Sequence, residues 1–145
     1  MTTVIAQSLP DYDFAQLMTA PGVSLVADEP EDLGGDDLGP SPYELLTWAL
    51  GACTAMTIQM YARRKEYPLE EVAVQVEHER IHAKDCHDCE NEHEGYVQHF
   101  HRRIVLRGDL TEDQQQDLMR VAGKCPVHKT LMAIPEVHDS LEVVA

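Results

Sequence analysis

The chain has 145 residues, enough for one domain and too few for a second of full size. It carries 26 acidic and 11 basic side chains, a net charge of −15, so it would repel a phosphate backbone and is not expected to bind nucleic acid. The first residues have neither the basic nor the long apolar segment of a secretion signal. Four cysteines without such a signal favour a reducing cytoplasm, where thiols serve in catalysis or metal binding.

The N-terminal part of the chain predicts short β-strands followed by a loop. β-prone residues occur at Val4–Ala6 and Val23–Ala27, with a weaker candidate, Asp11–Met18, between them. Residues Asp28–Pro40 are rich in Asp, Glu, Gly and Pro, a composition typical of a loop.

A long apolar helix follows that loop. Ser41 suits the N-cap, Pro42 the first helical position and Glu44 the second half of a capping box. The uncharged stretch Leu45–Ala62 contains Thr, Gln and Gly, so we interpret it as a buried helix and not as a membrane span. Arg63 and its basic neighbours then end the helix. Because its apolar residues lie on nearly every face, we expect a second copy of the chain to cover part of it.

Two long strands are predicted next, joined by a hairpin. Val72–Ala83 alternates apolar and polar residues as a half-exposed strand does, and Tyr96–Leu106 is the second strand. The residues between them, 85–95, form an acidic tip that ends at a glycine. Histidines two or four residues apart share one face of a strand, as His99 and His101 do, and we interpret them as solvated.

The C-terminal part predicts two helices and a last strand. Thr111 and Gln114 form a capping box for a helix that runs to about Gly123. Pro126 begins a short helix, and Val137–Val144 is expected to be the final strand. The order of elements predicts an α+β fold in a single domain, residues 1–145.

Cys125 has the sequence context of a reactive thiol. It lies at the N-cap position before Pro126, where unpaired N–H groups and the helix dipole favour a thiolate. His128 and Lys129 would add positive charge nearby. The alternative is a small buried residue beside a helix start. Cys53, in the middle of the apolar helix, is by itself typical of a packing cysteine.

Several motifs together resemble the OsmC/Ohr family of thiol-dependent peroxidases. They are Asp28-Glu29-Pro30, Gly34-Gly35, the run from Gly39 to Leu46, the run from Ala49 to Met56, and Cys125-Pro126-Val127-His128. The resemblance implies strands wrapped around a central helix in an intertwined homodimer. It also implies that Cys53 attacks an organic hydroperoxide and becomes a sulfenic acid, that Cys125 resolves it, and that a dithiol reductant restores the pair without any cofactor.

The chain departs from the family at the residues that activate the nucleophile. Family members use an Arg from the N-terminal region and the Glu of an Asn-Pro-Glu motif. Here no Arg occurs among the first 62 residues, and Tyr43 takes the place of that Glu. Glu44 is one residue late and lies roughly 180° around the helix from Cys53. Glu44 and His128 remain candidate supporting residues, and Arg102 or Arg103 could replace the missing Arg.

Cys86 and Cys89 form a second constellation in the acidic hairpin tip, similar to an OsmC-like subgroup that is fused to hydrolases. One interpretation is an auxiliary redox pair, although neighbouring acids disfavour thiolates. A second is a zinc site of Cys86, Cys89 and His93, which such acids would favour. The third is a solvated tip with structural or incidental cysteines. A non-peroxidatic redox or zinc module, or a degenerate small-molecule-binding member of the family, are therefore alternative functions.

Overall fold

The computed structural model describes residues 2–87 and 95–144 and has the predicted α+β architecture. Within these residues the elements are β1 (Ile5–Ser8), β2 (Gln16–Ala20), β3 (Val23–Ala27), α1 (Pro42–Arg64), β4 (Leu69–His82), β5 (Tyr96–Gly108), α2 (Glu112–Ala122) and α3 (Pro126–Met132), with 3-10 turns at Glu31–Leu33 and Ala83–Asp85. They form two compact units. The first comprises residues 2–49, 77–87 and 95–101, and the second comprises residues 50–76 and 102–144.

The first unit contains an antiparallel sheet in the order β1-β2-β3. Ile5 pairs with Thr19, and Gln16 pairs with Ala27. The strand Val23–Ala27 is confirmed, and the first strand begins one residue later than expected and ends at Ser8. The weaker candidate strand, Asp11–Met18, was only partly right. The chain turns before Gln16, where the Leu9 N–H donates to the Ala15 carbonyl at 3.0 Å, and the strand begins at Gln16.

A buried carboxylate organises the loop after β3. Asp28 is 2% exposed, and its side chain accepts N–H bonds from Glu29 at 2.8 Å, Asp36 at 3.0 Å and Leu38 at 3.3 Å. Its own N–H donates to the Pro40 carbonyl at 3.1 Å. Buried polar groups are stable only when bonded in this way, so the loop has a defined path.

Helix α1 begins with the predicted capping box. The Ser41 N–H donates to Glu44 Oε2 at 2.8 Å, and the Glu44 N–H donates to Ser41 Oγ at 3.3 Å. The helix is not buried on all sides in the single chain, because Trp48, Met56 and Met60 are 62%, 66% and 69% exposed. These residues are spaced by multiples of four and share one face. That a second copy of the chain covers this face stays a prediction.

The core of the second unit lies between α1 and α2. Ile58 and Ala62 of α1 pack with Leu118 and Ala122 of α2, and all four are at most 2% exposed. Partly buried residues of both long strands pack against them, namely Leu69, Val72, Ile104 and Leu106. The capping box of Thr111 at the start of α2 is confirmed by reciprocal bonds with Gln114 of 3.1 and 3.3 Å.

Strands β4 and β5 pair with each other and alternate in burial. The Ala83 N–H donates to the Gly95 carbonyl, and Glu71 pairs with Arg107, so the strands run in opposite directions. From Arg102 to Leu106, even-numbered residues are partly buried and odd-numbered residues are exposed. The side chain of Arg102 therefore points to the same face of β5 as the apolar Ile104.

The predicted final strand, Val137–Val144, is wrong. Residues 133–144 have no regular secondary structure, and Leu141 and Val143 are 90% and 84% exposed. A β-prone sequence becomes a strand only when a neighbouring strand accepts its backbone bonds, and this segment pairs with none of the described strands. Among the described residues, no helix combines the length and the apolar character required to cross a membrane.

Candidate active site

The second unit brings Cys53 and Cys125 together. Cys53 lies midway along α1 and is half-buried, whereas Cys125 immediately precedes α3 and is 0% exposed. Both are free thiols, and Cys53 donates a hydrogen bond to Cys125. Because 72 residues of chain separate them, only the packing of the α3 region against α1 can produce this contact.

The helix start stabilises a thiolate at Cys125. The residue is the N-cap of α3, Pro126 follows at the first helical position, and the His128 N–H donates to Cys125 Sγ at 3.5 Å. Burial opposes ionisation of this thiol. The hydrogen bonds from Cys53 and from the backbone N–H groups of His128 and Val127 are among the contacts that outweigh burial, so the pKa of Cys125 is lowered from its ordinary value.

The pKa of Cys53 moves in the opposite direction. Burial raises it first, and the hydrogen bond to Cys125 raises it further, because ionised Cys53 would lose that bond and face a second negative charge. The two thiols therefore titrate as a coupled pair, and Cys125 is the one that ionises more readily. When the pair loses one proton, the negative charge is favoured on the buried sulfur of Cys125 and the remaining proton on the more accessible sulfur of Cys53.

Arg102 connects the segments that carry the two cysteines. Its Nη1 donates to Thr54 Oγ1 at 2.9 Å and to the Ala122 carbonyl at 3.1 Å, and its Nη2 donates to His128 Nδ1 at 3.1 Å. Thr54 is 0% exposed and donates its hydroxyl to the Leu50 carbonyl at 2.7 Å. The guanidinium thus fixes the residue next to Cys53 and both sides of the turn that holds Cys125.

The positive charge expected from His128 is absent. Burial and the nearby Arg102 guanidinium lower the pKa of His128, so the ring is neutral at neutral pH. Its Nδ1 accepts from Arg102, which places the ring proton on Nε2. Arg102, one of the two arginines that the sequence offered, supplies a positive charge at this site. The other, Arg103, is exposed.

Glu44 and Tyr43 are occupied by other contacts. The Glu44 carboxylate is exposed and belongs to the capping box described above, so its supporting role at the thiols stays a prediction. Tyr43, which takes the place of the family's Glu, stacks on His78 with ring centroids 4.3 Å apart. Among the residues at the site, Thr54 and its bond to Arg102 were missed by the sequence analysis.

The hairpin tip is only partly described. Cys86 is disulfide-bonded, and its Sγ lies 3.2 Å from His99 Nε2. Cys89 and His93 lie outside the described residues, so the predicted redox pair and zinc site remain predictions.

Comparison with known proteins gives one family and a consistent set of folds. The family model described as OsmC-like protein matches residues 34–138. An OsmC-like protein from Mycoplasma pneumoniae is 17% identical, with a TM-score of 0.70 and coverage of 92% of this chain and 89% of that chain. An organic hydroperoxide resistance protein OsmC from Legionella pneumophila is 19% identical, with a TM-score of 0.66 and coverage of 90% and 88%. At these identities the likeness establishes the fold. No curated protein sequence matches the chain.

Proposed function

The chain belongs to the OsmC-like family, and we propose that it is a thiol-dependent peroxidase that reduces organic hydroperoxides with Cys53 and Cys125. The observation that carries the proposal is the hydrogen bond between the two thiols, which raises the pKa of Cys53 and lowers that of Cys125. The name of the Legionella pneumophila relative, an organic hydroperoxide resistance protein, supports the same substrate class.

The first step is attack by Cys53 on the peroxide. Cys53 transfers its proton to Cys125, and the resulting Cys53 thiolate attacks the terminal peroxide oxygen. The O–O bond breaks, Cys53 becomes a sulfenic acid, and the alkoxide leaves as the alcohol after it takes the proton back from Cys125. Cys125 is then a thiolate again, ready for the second step.

The second step forms a disulfide. The Cys125 thiolate attacks the Cys53 sulfur, the S–O bond breaks, and hydroxide leaves to be protonated as water. An external dithiol reductant then restores both thiols by disulfide exchange. Arg102 acts as a positioning residue in both steps, because it holds Thr54 and His128, the neighbours of the two sulfurs, and it replaces the Arg that the N-terminal region lacks.

The proposed assembly is a homodimer in the cytoplasm. The exposed face of α1 with Trp48, Met56 and Met60 is the apolar surface that a second copy would cover. Methionines suit both a packed interface and contact with the apolar tail of a hydroperoxide. A reducing compartment would keep Cys53 and Cys125 ready for the next turnover.

Mass-spectrometric peptide mapping tests the proposal. The reduced protein receives one equivalent of an organic hydroperoxide, and the oxidised cysteines are located in the wild type, Cys53→Ser, Cys125→Ser and the control Cys86→Ser. We expect a Cys53–Cys125 disulfide in the wild type and in the control, and a trapped Cys53 sulfenic acid in Cys125→Ser. If peroxide leaves both thiols of the wild type unmodified, the peroxidase proposal is wrong.

A second candidate function is favoured by the disulfide at Cys86. A redox module in the hairpin tip would use Cys86 and Cys89 and would exchange electrons with dithiols instead of peroxides. The same mapping separates the two functions, because oxidation confined to the tip, with Cys53 still reduced, would move the chemistry there. If cells that carry Cys53→Ser keep their resistance to peroxide, a degenerate, ligand-binding member of the family is favoured instead.

A further inference from the structure

A cluster of metal-binding side chains lies on the β4–β5 hairpin. Glu79 Oε1 is 3.2 Å from His101 Nε2 and 3.9 Å from His99 Nδ1. One donor atom from each of the three residues lies within 4.8 Å of the other two. The two histidines are two residues apart on β5 and therefore point to the same face of the strand, and Glu79 reaches them from β4.

We propose that Glu79, His99 and His101 bind a divalent metal ion such as Zn²⁺. Ligand atoms at 2.0–2.1 Å from a tetrahedral zinc lie about 3.3 Å from one another, close to the shortest spacing in this cluster. Glu79 and His101 have side chains that are 55% and 60% exposed, so small rotations bring the remaining pairs to that distance. Imidazole nitrogens with one carboxylate favour zinc, nickel or copper over magnesium or calcium.

The surroundings of His99 orient its ring for this role. Its side chain is 20% exposed, and its Nε2 lies 3.2 Å from Cys86 Sγ while its Nδ1 faces Glu79. A metal-bound histidine ordinarily has its second nitrogen held by a neighbour, which fixes the ring and tautomer. The His99 and His101 rings are 5.6 Å apart between centroids and inclined at 66°, and the Glu79 carboxylate lies near one nitrogen of each ring.

Three protein ligands leave a coordination position open. Because Glu79 and His101 are exposed, water or a small anionic ligand can reach that position. The net charge of −15 also attracts cations to the chain as a whole. This site contains neither of the cysteines of the predicted hairpin-tip zinc site, and it does not depend on the peroxidase chemistry.

Metal titration of the full-length chain tests the site. Zn²⁺ affinity is measured by competition with a chromophoric chelator, and Co²⁺ is added separately to record its visible and near-ultraviolet spectrum. We expect a site with nitrogen and oxygen ligands that lacks a thiolate-to-cobalt charge-transfer band. His101→Ala and Glu79→Ala should each weaken its affinity by at least about tenfold.

The control variants separate this site from other ligands. His138→Ala removes an exposed histidine that pairs with Glu136 at 3.4 Å, and it should leave the affinity unchanged. Cys86→Ser removes the neighbour of His99 Nε2 and can weaken the affinity, but bound Co²⁺ should keep a spectrum of nitrogen and oxygen ligands, because sulfur is not a ligand in the proposal. Equal affinity and stoichiometry in the wild type and in a His99→Ala/His101→Ala double variant would overturn the proposal. A thiolate-to-cobalt charge-transfer band in the wild type that disappears in Cys86→Ser, together with the bound metal, would also overturn it.

Discussion

Arg102→Gln is the most direct test of how the site is held together. The substitution removes a cation that makes three hydrogen bonds, to Thr54 Oγ1, the Ala122 carbonyl and His128 Nδ1. Thr54 keeps its bond to the Leu50 carbonyl, so the Ala122 carbonyl and the ring nitrogen are the groups left without this donor. Breaking such a partly buried charged network costs about 2–4 kcal/mol of unfolding free energy.

The assay is urea unfolding at one fixed protein concentration, since a dimer would make the midpoint concentration-dependent. With a slope of about 2 kcal/mol/M, the midpoint of Arg102→Gln should fall by about 1–2 M. A second readout is the pKa of His128 from NMR titration. It should rise when the guanidinium is removed, yet stay below the ordinary 6.5, because burial is the larger cause of its depression.

Arg103→Gln is the matched control, because it is the next residue on the same strand and is exposed. Its unfolding free energy should stay within about 0.5 kcal/mol of the wild type, with no change at His128. The reasoning is refuted if the two variants cost the same, or if the pKa of His128 does not move in Arg102→Gln.

Three further outcomes are expected. Cys53→Ala should raise the pKa of Cys125, and Cys125→Ala should lower the pKa of Cys53. Thiolate absorbance as a function of pH measures both values. Shifts of the same sign in the two variants would contradict a hydrogen bond from Cys53 to Cys125. Hydrogen bonds from Tyr61, Arg120 and Tyr67 lower the pKa of Asp117 from 3.8 to about 2, so its contribution to stability is complete above pH 3.8 and is lost as pH falls through about 2. Between these pH values the free energy of unfolding should depend less on pH in Asp117→Asn than in the exposed control Asp113→Asn. Equal pH dependence in the two variants would contradict this role of Asp117. Gly39→Ala should cost about 1–3 kcal/mol, because the new methyl would overlap the Val26 carbonyl, whereas Gly123→Ala has nothing closer than 3.6 Å; equal melting temperatures would show that the loop gives way.

Local chemistry made several elements predictable from sequence. The capping boxes at Ser41 and Thr111, and the N-cap at Cys125, depend on residues within one helical turn, and the structure has all three. The strand Val137–Val144 failed for the opposite reason. Its composition is suitable, but pairing is a non-local property, and no described strand lies beside it.

The site itself depends on contacts between distant segments. Strand parity could have separated Arg102 from Arg103, since Arg102 shares its face with Ile104 and Leu106, which pack on the core. The alternation of faces along the strand could not predict the hydrogen-bond partners of Arg102, because Thr54 and Ala122 come from two different helices. The neutral His128 was unpredictable for the same reason. Its charge is set by burial and by a guanidinium 26 residues away in the chain.

In the loop after β3, the residues that hold the backbone path differ from those that supply the surface charge. Its path is held by the buried Asp28 carboxylate and by backbone bonds, such as that from the Asp37 N–H to the Glu29 carbonyl at 3.2 Å. The exposed acids are Glu31, Asp32, Asp36 and Asp37. Neutralising these four would change the net charge from −15 to −11 without touching the carboxylate that holds the loop. The repulsion that keeps acidic molecules apart in solution can therefore be tuned at these positions while the entry to α1 keeps its course.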